Sequence, residues 1–273
     1  MCPHCRAFIT DKDRVCPYCH EQVGARAIDS RSPADILGGL IPHGRFTTMM
    51  ILLINVGLYV VTVVYSMGAG NEGAFMNLDG QTLYRFGAKF RGSILQQGEW
   101  WRLITAGFLH GGLMHIGMNM WVLYDLGATV EEIYGANRYI TFYLLSTAGG
   151  FLASTFFSDS LSIGASAGLF GLIGVMIALG VRSQTATGAA IRGMYIRWAI
   201  MGLLFGLLPF FRVDNAAHLG GLATGFATAY FAGTPRISSS TGEQGWRLTA
   251  WACIAVTAYC FLKMYLSFSL PIQ

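Results

Sequence analysis

Seven apolar runs divide the chain between Thr47 and Phe268, and each is about as long as a helix that crosses a bilayer. Some 20 residues of α-helix span the roughly 30 Å hydrocarbon core. The runs are Thr47–Met67, Gly111–Val130, Arg138–Phe157, Ser162–Val181, Tyr195–Phe211, Asn215–Phe231 and Trp246–Phe268. They predict an all-α fold, a polytopic membrane helix bundle of seven transmembrane helices. The chain is 53% hydrophobic and 12% charged, which suits such a bundle and not a soluble enzyme. Its net charge of +4 is small and spread among loops, so no nucleic-acid footprint is present. The first forty-odd residues are polar, so no cleavable signal peptide is expected.

Ahead of the spans, Cys2-Pro-His-Cys5 and Cys16-Pro-Tyr-Cys19 form two C-x-x-C knuckles. In each, one tight turn aims two sulfurs at one ion, and four thiolates close a tetrahedral zinc site. A closed site has no open coordination position. Residues 1–22 are therefore read as a zinc-ribbon-like module that docks a cytoplasmic partner or adds local stability. His20 is a substitute ligand candidate. Residues 23–46 are read as a linker, with the apolar patch Ile36–Ile41 placed on the membrane surface. Between the first two spans lies a long loop that is too broken to cross. Its Trp100, Trp101 and Arg102 suit the membrane interface.

Lys and Arg set the orientation, because cytoplasmic loops carry their excess. With the amino terminus inside, that side holds Arg6, Lys12, Arg14, Arg26, Arg31 and Arg45. It also gathers Arg138, Arg182, Arg192, Arg197, Arg236 and Arg247. The same orientation puts the cysteine knuckles in the reducing compartment that zinc thiolates require.

Two polar residues interrupt the apolar runs. Ser166 lies in Gly164-Ala-Ser-Ala-Gly168, and His218 opens Ala217-His-Leu-Gly-Gly221-Leu-Ala-Thr-Gly225. Glycines four apart let membrane helices approach closely, so each motif has a packing reading. Ionisable groups within spans are rare and mark function. At 1.5 Å per residue, Ser166 about four residues into its span and His218 about three into its own share one depth near the outer face. An imidazole beside a hydroxyl is the arrangement that activates a serine nucleophile. The second span adds His115 and Asn119, four apart on one helical face, as candidate oxyanion donors beside the Ser166 N–H. On the residues alone, an interhelical polar clamp and an ion path stay open as alternatives.

Four motifs then stand in order: Glu99-Trp-Trp-Arg102, His110…His115-xxx-Asn119, Gly164-Ala-Ser-Ala-Gly168 and Ala217-His-xx-Gly221-xxx-Gly225. Together they resemble the rhomboid family of intramembrane serine proteases, over about Thr47 to Phe231. Glu131, Tyr134, Gly135 and Arg138 match a further common pattern of that family. The resemblance implies a six-helix catalytic core at residues 47–233, with Ser166 as nucleophile and His218 as general base. It implies His115 and Asn119 as oxyanion stabilisers, no catalytic cofactor, and Trp101-Arg102 as a loop motif seated in the outer leaflet. Its substrates would be transmembrane segments of other proteins in the bilayer, cut near the outer face. The plasma membrane is the expected location. The span at 246–268 makes a six-plus-one arrangement. Ala167 departs from the family's usual glycine after the serine. Asp214 is read as a solvated loop charge rather than a third catalytic member, and Tyr124 and Tyr134 as packing or interfacial residues. Two other functions are weighed, a catalytically silent relative that binds membrane helices and a small-solute transporter. The inverted repeats expected of the latter are not detected.

Overall fold

The structure is a computed structural model that describes residues 5, 7–8, 15–20, 45–207, 213–233 and 240–268. Two compact units divide at Phe46/Thr47. In the first, the described residues include Cys5 and the turn at 15–20, while Cys2 and the 23–44 stretch with its apolar patch lie outside them.

Among the described residues, the regular elements of the second unit are helices. Helix α1 (Phe46–Gly68) leads into a long loop holding three short helices, α2 (Gly80–Arg85), α3 (Arg91–Leu95) and α4 (Arg102–Thr105). Then come α5 (Leu113–Val122) and α6 (Ala128–Tyr134), α7 (Ala136–Phe157), α8 (Ser166–Arg182), α9 (Ala186–Phe205), α10 (Asn215–Ala232) and α11 (Ser240–Ser267). Helices α1 and α7 and residues Gly242–Ser267 of α11 are each long and apolar enough to cross a membrane, and α8 is a shorter apolar helix. Large side chains such as Trp121, Phe157 and Phe231 stand exposed on the outside, which suits a surface solvated by lipid.

The second predicted span is not one uniform helix. Residues Leu123–Gly127 widen into a π turn joining α5 to α6. Here Gly127 passes so close to Tyr139 Oη and Thr48 Cγ2 that a β-carbon would lie 2.8 and 3.1 Å from them. Just beyond, the buried Glu131 carboxylate accepts from Thr47 N and Thr48 N at 2.8 Å and from Thr48 Oγ1 at 2.7 Å. The first turn of α1 is thereby capped from a distant helix, since its leading N–H groups have no partner within α1.

Helices in lipid gain little from burying apolar surface against one another, so close backbone approach must hold them. Helix α10 supplies it on two sides. A β-carbon on Gly221 would sit 2.1 Å from Ala167 O of α8, and one on Gly225 2.0 Å from Gly171 O. Toward α7, one on Gly150 would meet Ala217 O at 2.6 Å. The small-residue faces read from the sequence are therefore real contact faces, and they fix α7, α8 and α10 as the centre of the bundle.

At the loop, Asp79 caps α2 through Thr82 N at 2.7 Å and also accepts from Ser66 Oγ at 2.6 Å and Thr82 Oγ1 at 2.7 Å. Desolvation alone would raise this carboxyl's pKa, but the donated hydrogen bonds bring it down to about 2.

Candidate active site

The predicted fourth span begins at Ser162, yet residues 162–164 are not helical and α8 starts at Ser166 itself. The reason lies in the backbone. Lys89 N donates to Ser162 O at 2.9 Å and Ser162 N to Lys89 O at 3.0 Å, an isolated antiparallel bridge that holds the chain extended. Gly164 then turns at φ +124°, a conformation that favours glycine, and its N–H donates to Ala106 O at 2.9 Å. Ser166 therefore stands at the head of its helix rather than a turn inside it. A helix N-terminus presents backbone N–H groups without intrahelical partners, and those donors lie beside the hydroxyl.

His218 occupies the first turn of α10, and its Nε2 lies 2.9 Å from Ser166 Oγ. For that nitrogen to accept the hydroxyl proton, the ring's own proton must sit on Nδ1. Nδ1 is buried and makes no hydrogen bond among the described residues. Phe170, one turn beyond Ser166, stacks flat on the imidazole with centroids 3.9 Å apart and planes 13° from parallel.

His115 joins them from α5. Its Nδ1 accepts from Gly111 N at 3.2 Å, which in the neutral ring leaves the proton on Nε2. That nitrogen faces the Gly164 turn, where a β-carbon would be 2.8 Å from it and 3.5 Å from Ser166 Oγ. The structure thus brings Ser166, His218 and His115 together around one glycine. Asn119 is buried nearby on the same helix, but its Nδ2 donates to His115 O at 2.8 Å. Fully buried His110 packs edge-on against His115 with ring centroids 5.1 Å apart.

The Trp101 and Arg102 side chains are buried against the protein, and Trp100 is the exposed member of the motif. Arg102 pairs with Glu99 at 2.6 Å, donates to Tyr84 O at 2.7 Å and Ala88 O at 3.1 Å, and lies against the Tyr84 and Trp101 rings. A guanidinium has five donors, and here they knit the loop to itself. Asp214 is not a free loop charge. It caps α10 by accepting from Ala217 N at 3.0 Å and also takes a short hydrogen bond from Ser154 of α7. Short polar side chains at a helix start are natural caps, so the position four before His218 could have been read that way. Phe170 was missed too, although i to i+4 spacing from Ser166 puts it on the same face.

A family model described as the rhomboid domain matches residues 97–235, a little over half of the chain. This chain belongs to the rhomboid family. It is 36% identical over 182 residues to the protein described as rhomboid protease GluP of Bacillus subtilis (strain 168), covering 67% of this chain and 35% of that one. With RHOMBOID-like protein 6, mitochondrial, of Arabidopsis thaliana it shares 36% over 162 residues, 58% of this chain and 52% of the relative. With Rhomboid-like protease 1 of Toxoplasma gondii it shares 30% over 233 residues, 80% of this chain and 78% of the relative. The chain thus spans between a third and four fifths of these relatives. Rhomboids are integral membrane proteins, in keeping with the apolar helices.

In the first unit, the sulfurs of Cys5, Cys16 and Cys19 all lie within 4.8 Å of one another, Cys5 and Cys16 at 3.6 Å. Zinc–sulfur bonds of 2.3 Å in a tetrahedron put sulfurs about 3.8 Å apart, so three ligands converge with suitable spacing. Cys16 is fully buried, and His20 N donates to Cys16 O at 2.9 Å with His20 at φ +59° to close the second knuckle.

Proposed function

We propose that this rhomboid is an intramembrane serine endopeptidase that cleaves transmembrane segments of other membrane proteins. The observation that carries the reading is the 2.9 Å contact between Ser166 Oγ and His218 Nε2, made by helices that meet backbone to backbone. His218 takes the hydroxyl proton as Ser166 Oγ bonds to the scissile carbonyl carbon. The oxyanion that forms lies against the N–H groups at the head of α8 and against His115 Nε2–H. Asn119 is proposed to assist from the same face. When the intermediate collapses, the C–N bond breaks and the imidazolium returns its proton to the leaving amine. Water, deprotonated by the same imidazole, then releases the acyl group. A helical substrate hides its carbonyl in the hydrogen-bond ladder, so its segment must unwind locally before attack. The Lys and Arg bias supports an amino terminus in the cytoplasm and an active site toward the outer face; the plasma membrane is the proposed location. No catalytic cofactor takes part. Cys5, Cys16 and Cys19, with Cys2, are assigned as ligands of one structural zinc in a module that docks a cytoplasmic partner.

Purified protein incubated with a panel of single-span substrates tests the mechanism. Ser166→Ala and His218→Ala should each abolish cleavage, and the double variant should be no worse than either, because the pair acts as a unit. Full proteolysis by Ser166→Ala would sink the serine mechanism.

A further inference from the structure

The segment between the end of α7 and Ser166, residues 158–165, has to hold the nucleophile at the head of its helix. Beyond the ends of α7 and α8 themselves, the hydrogen bonds that order it come from the long loop, and chiefly from Lys89. Although a lysine, Lys89 is fully buried. Its Nζ donates to Ser158 O at 2.5 Å and Ser160 O at 3.2 Å, while its backbone exchanges the two hydrogen bonds with Ser162. One residue thus grips the strut at three successive alternate positions, 158, 160 and 162. Ser158 is also the C-cap of α7, where carbonyls lack intrahelical partners and a cation is favoured.

The loop is built to present that lysine. Gly87 turns at φ +92° where a β-carbon would lie 2.5 Å from Thr105 Oγ1 and 2.7 Å from the Trp101 ring. Arg102 holds the Ala88 carbonyl on the next residue. Burial lowers the Lys89 pKa, while Asp214 and Asp159 oppose that shift and Arg91 adds to it. A buried ammonium is costly unless its protons find acceptors, and bonds to a charged donor are the strong ones. Spending a buried charge on carbonyls of this one segment makes sense if the segment must not move.

We infer that Lys89 is a positioning residue for the peptidase reaction, an ammonium strut that ties the long loop to residues 158–162 and so fixes Ser166 and the N–H groups beside it. The inference rests on the reading of Ser166 as nucleophile. It acts at a distance, through Gly164, whose N–H is held by Ala106 O on the same loop. A misplacement of about 1 Å at reacting groups costs on the order of a hundredfold in rate, so a loosened strut should be felt in the chemical step.

Two measurements test it on the full chain in detergent. The first compares wild type, Lys89→Met and Lys89→Arg. A fluorophosphonate probe reports the labelling rate of Ser166, and a single-span substrate reports kcat and KM. Lys89→Met, which keeps the stem and drops the ammonium, should lower kcat and labelling together by roughly ten- to a hundredfold with KM within about twofold. Lys89→Arg should recover part of both. The second is amide hydrogen exchange on wild type alone, where Ser162 and Gly164 N–H should be as protected as the α8 ladder. Labelling of Lys89→Met at the wild-type rate, or fast exchange at both amides, overturns the strut. If Lys89→Met does not fold, the exchange result decides. Absence of labelling in wild type would instead count against Ser166 as nucleophile, and exchange would still judge Lys89.

Discussion

Phe170 shows how one side chain beside the Ser166–His218 pair bears on its geometry. Its ring lies flat on the His218 imidazole, and its Cζ end meets Gly202 of α9, where a β-carbon would be 2.5 Å away. Stacked in this way, Phe170 limits rotation of the imidazole and keeps Nε2 aimed at Ser166. Removing the ring frees His218 to swing without removing any reacting atom. Phe170→Ala should therefore lower kcat by roughly tenfold or more while leaving KM nearly unchanged. Phe170→Leu, which keeps bulk against the imidazole and adds no atom at the Cζ end, should recover part of that loss. Equal losses in both variants, measured on folded protein, would rule out the stacking role. At this scale the polar residues were legible because a serine and a histidine stand out in apolar runs. Phe170 was not, since one aromatic among many looks like packing until its partner is known. Lys89 escaped for a related reason. Nothing local in Gly87-Ala-Lys89 says that its acceptors lie some seventy residues on.

At the scale of helices, the glycine faces of α8 and α10 carry the arrangement. The atoms a β-carbon would strike at Gly221 and Gly225 are backbone carbonyls of Ala167 and Gly171, which cannot rotate away as a side chain would. Gly225→Ala should push α10 off α8, lengthen the Ser166–His218 contact and remove most activity, with partial loss of thermal stability. Gly57→Ala in α1, where nothing lies within 4 Å, is the matched control and should leave both unchanged. A thermal melt and a cleavage assay on the pair check this, and an active, fully stable Gly225→Ala would show that the helices do not meet as described. The four-residue glycine spacing made these faces readable in advance. The start of α8 was misjudged because Ser162-Ile-Gly164 is as apolar as the helix it precedes. What keeps it extended is Lys89 and Ala106, contacts that no local pattern encodes. Likewise nothing local says that the Arg102 guanidinium satisfies the carbonyls of Tyr84 and Ala88 inside the loop.

Across the second unit, α11 is fastened at several points. Arg138 pairs with Glu243 at 2.6 Å near the start of α11, Phe261 packs edge-on against Phe108 in its last third, and Phe268, just past its end, meets Tyr65 and Phe86. In the first unit, a module of some twenty residues such as 1–22 can bury little apolar core and would depend on its metal for stability. We expect about one tightly bound zinc per chain, lost when Cys16 and Cys19 become Ser, with metal analysis as the readout. A chain beginning at Arg45 should still insert, because Glu131 caps α1 at Thr47 and Thr48 without help from earlier residues. It should also cleave a generic single-span substrate in detergent at near the full-length rate, since Ser166, His218 and His115 all belong to the second unit. Protein purified without chelators that contains no zinc would refute the metal site. Loss of cleavage on truncation, with insertion confirmed, would instead show that the amino-terminal unit takes part in catalysis.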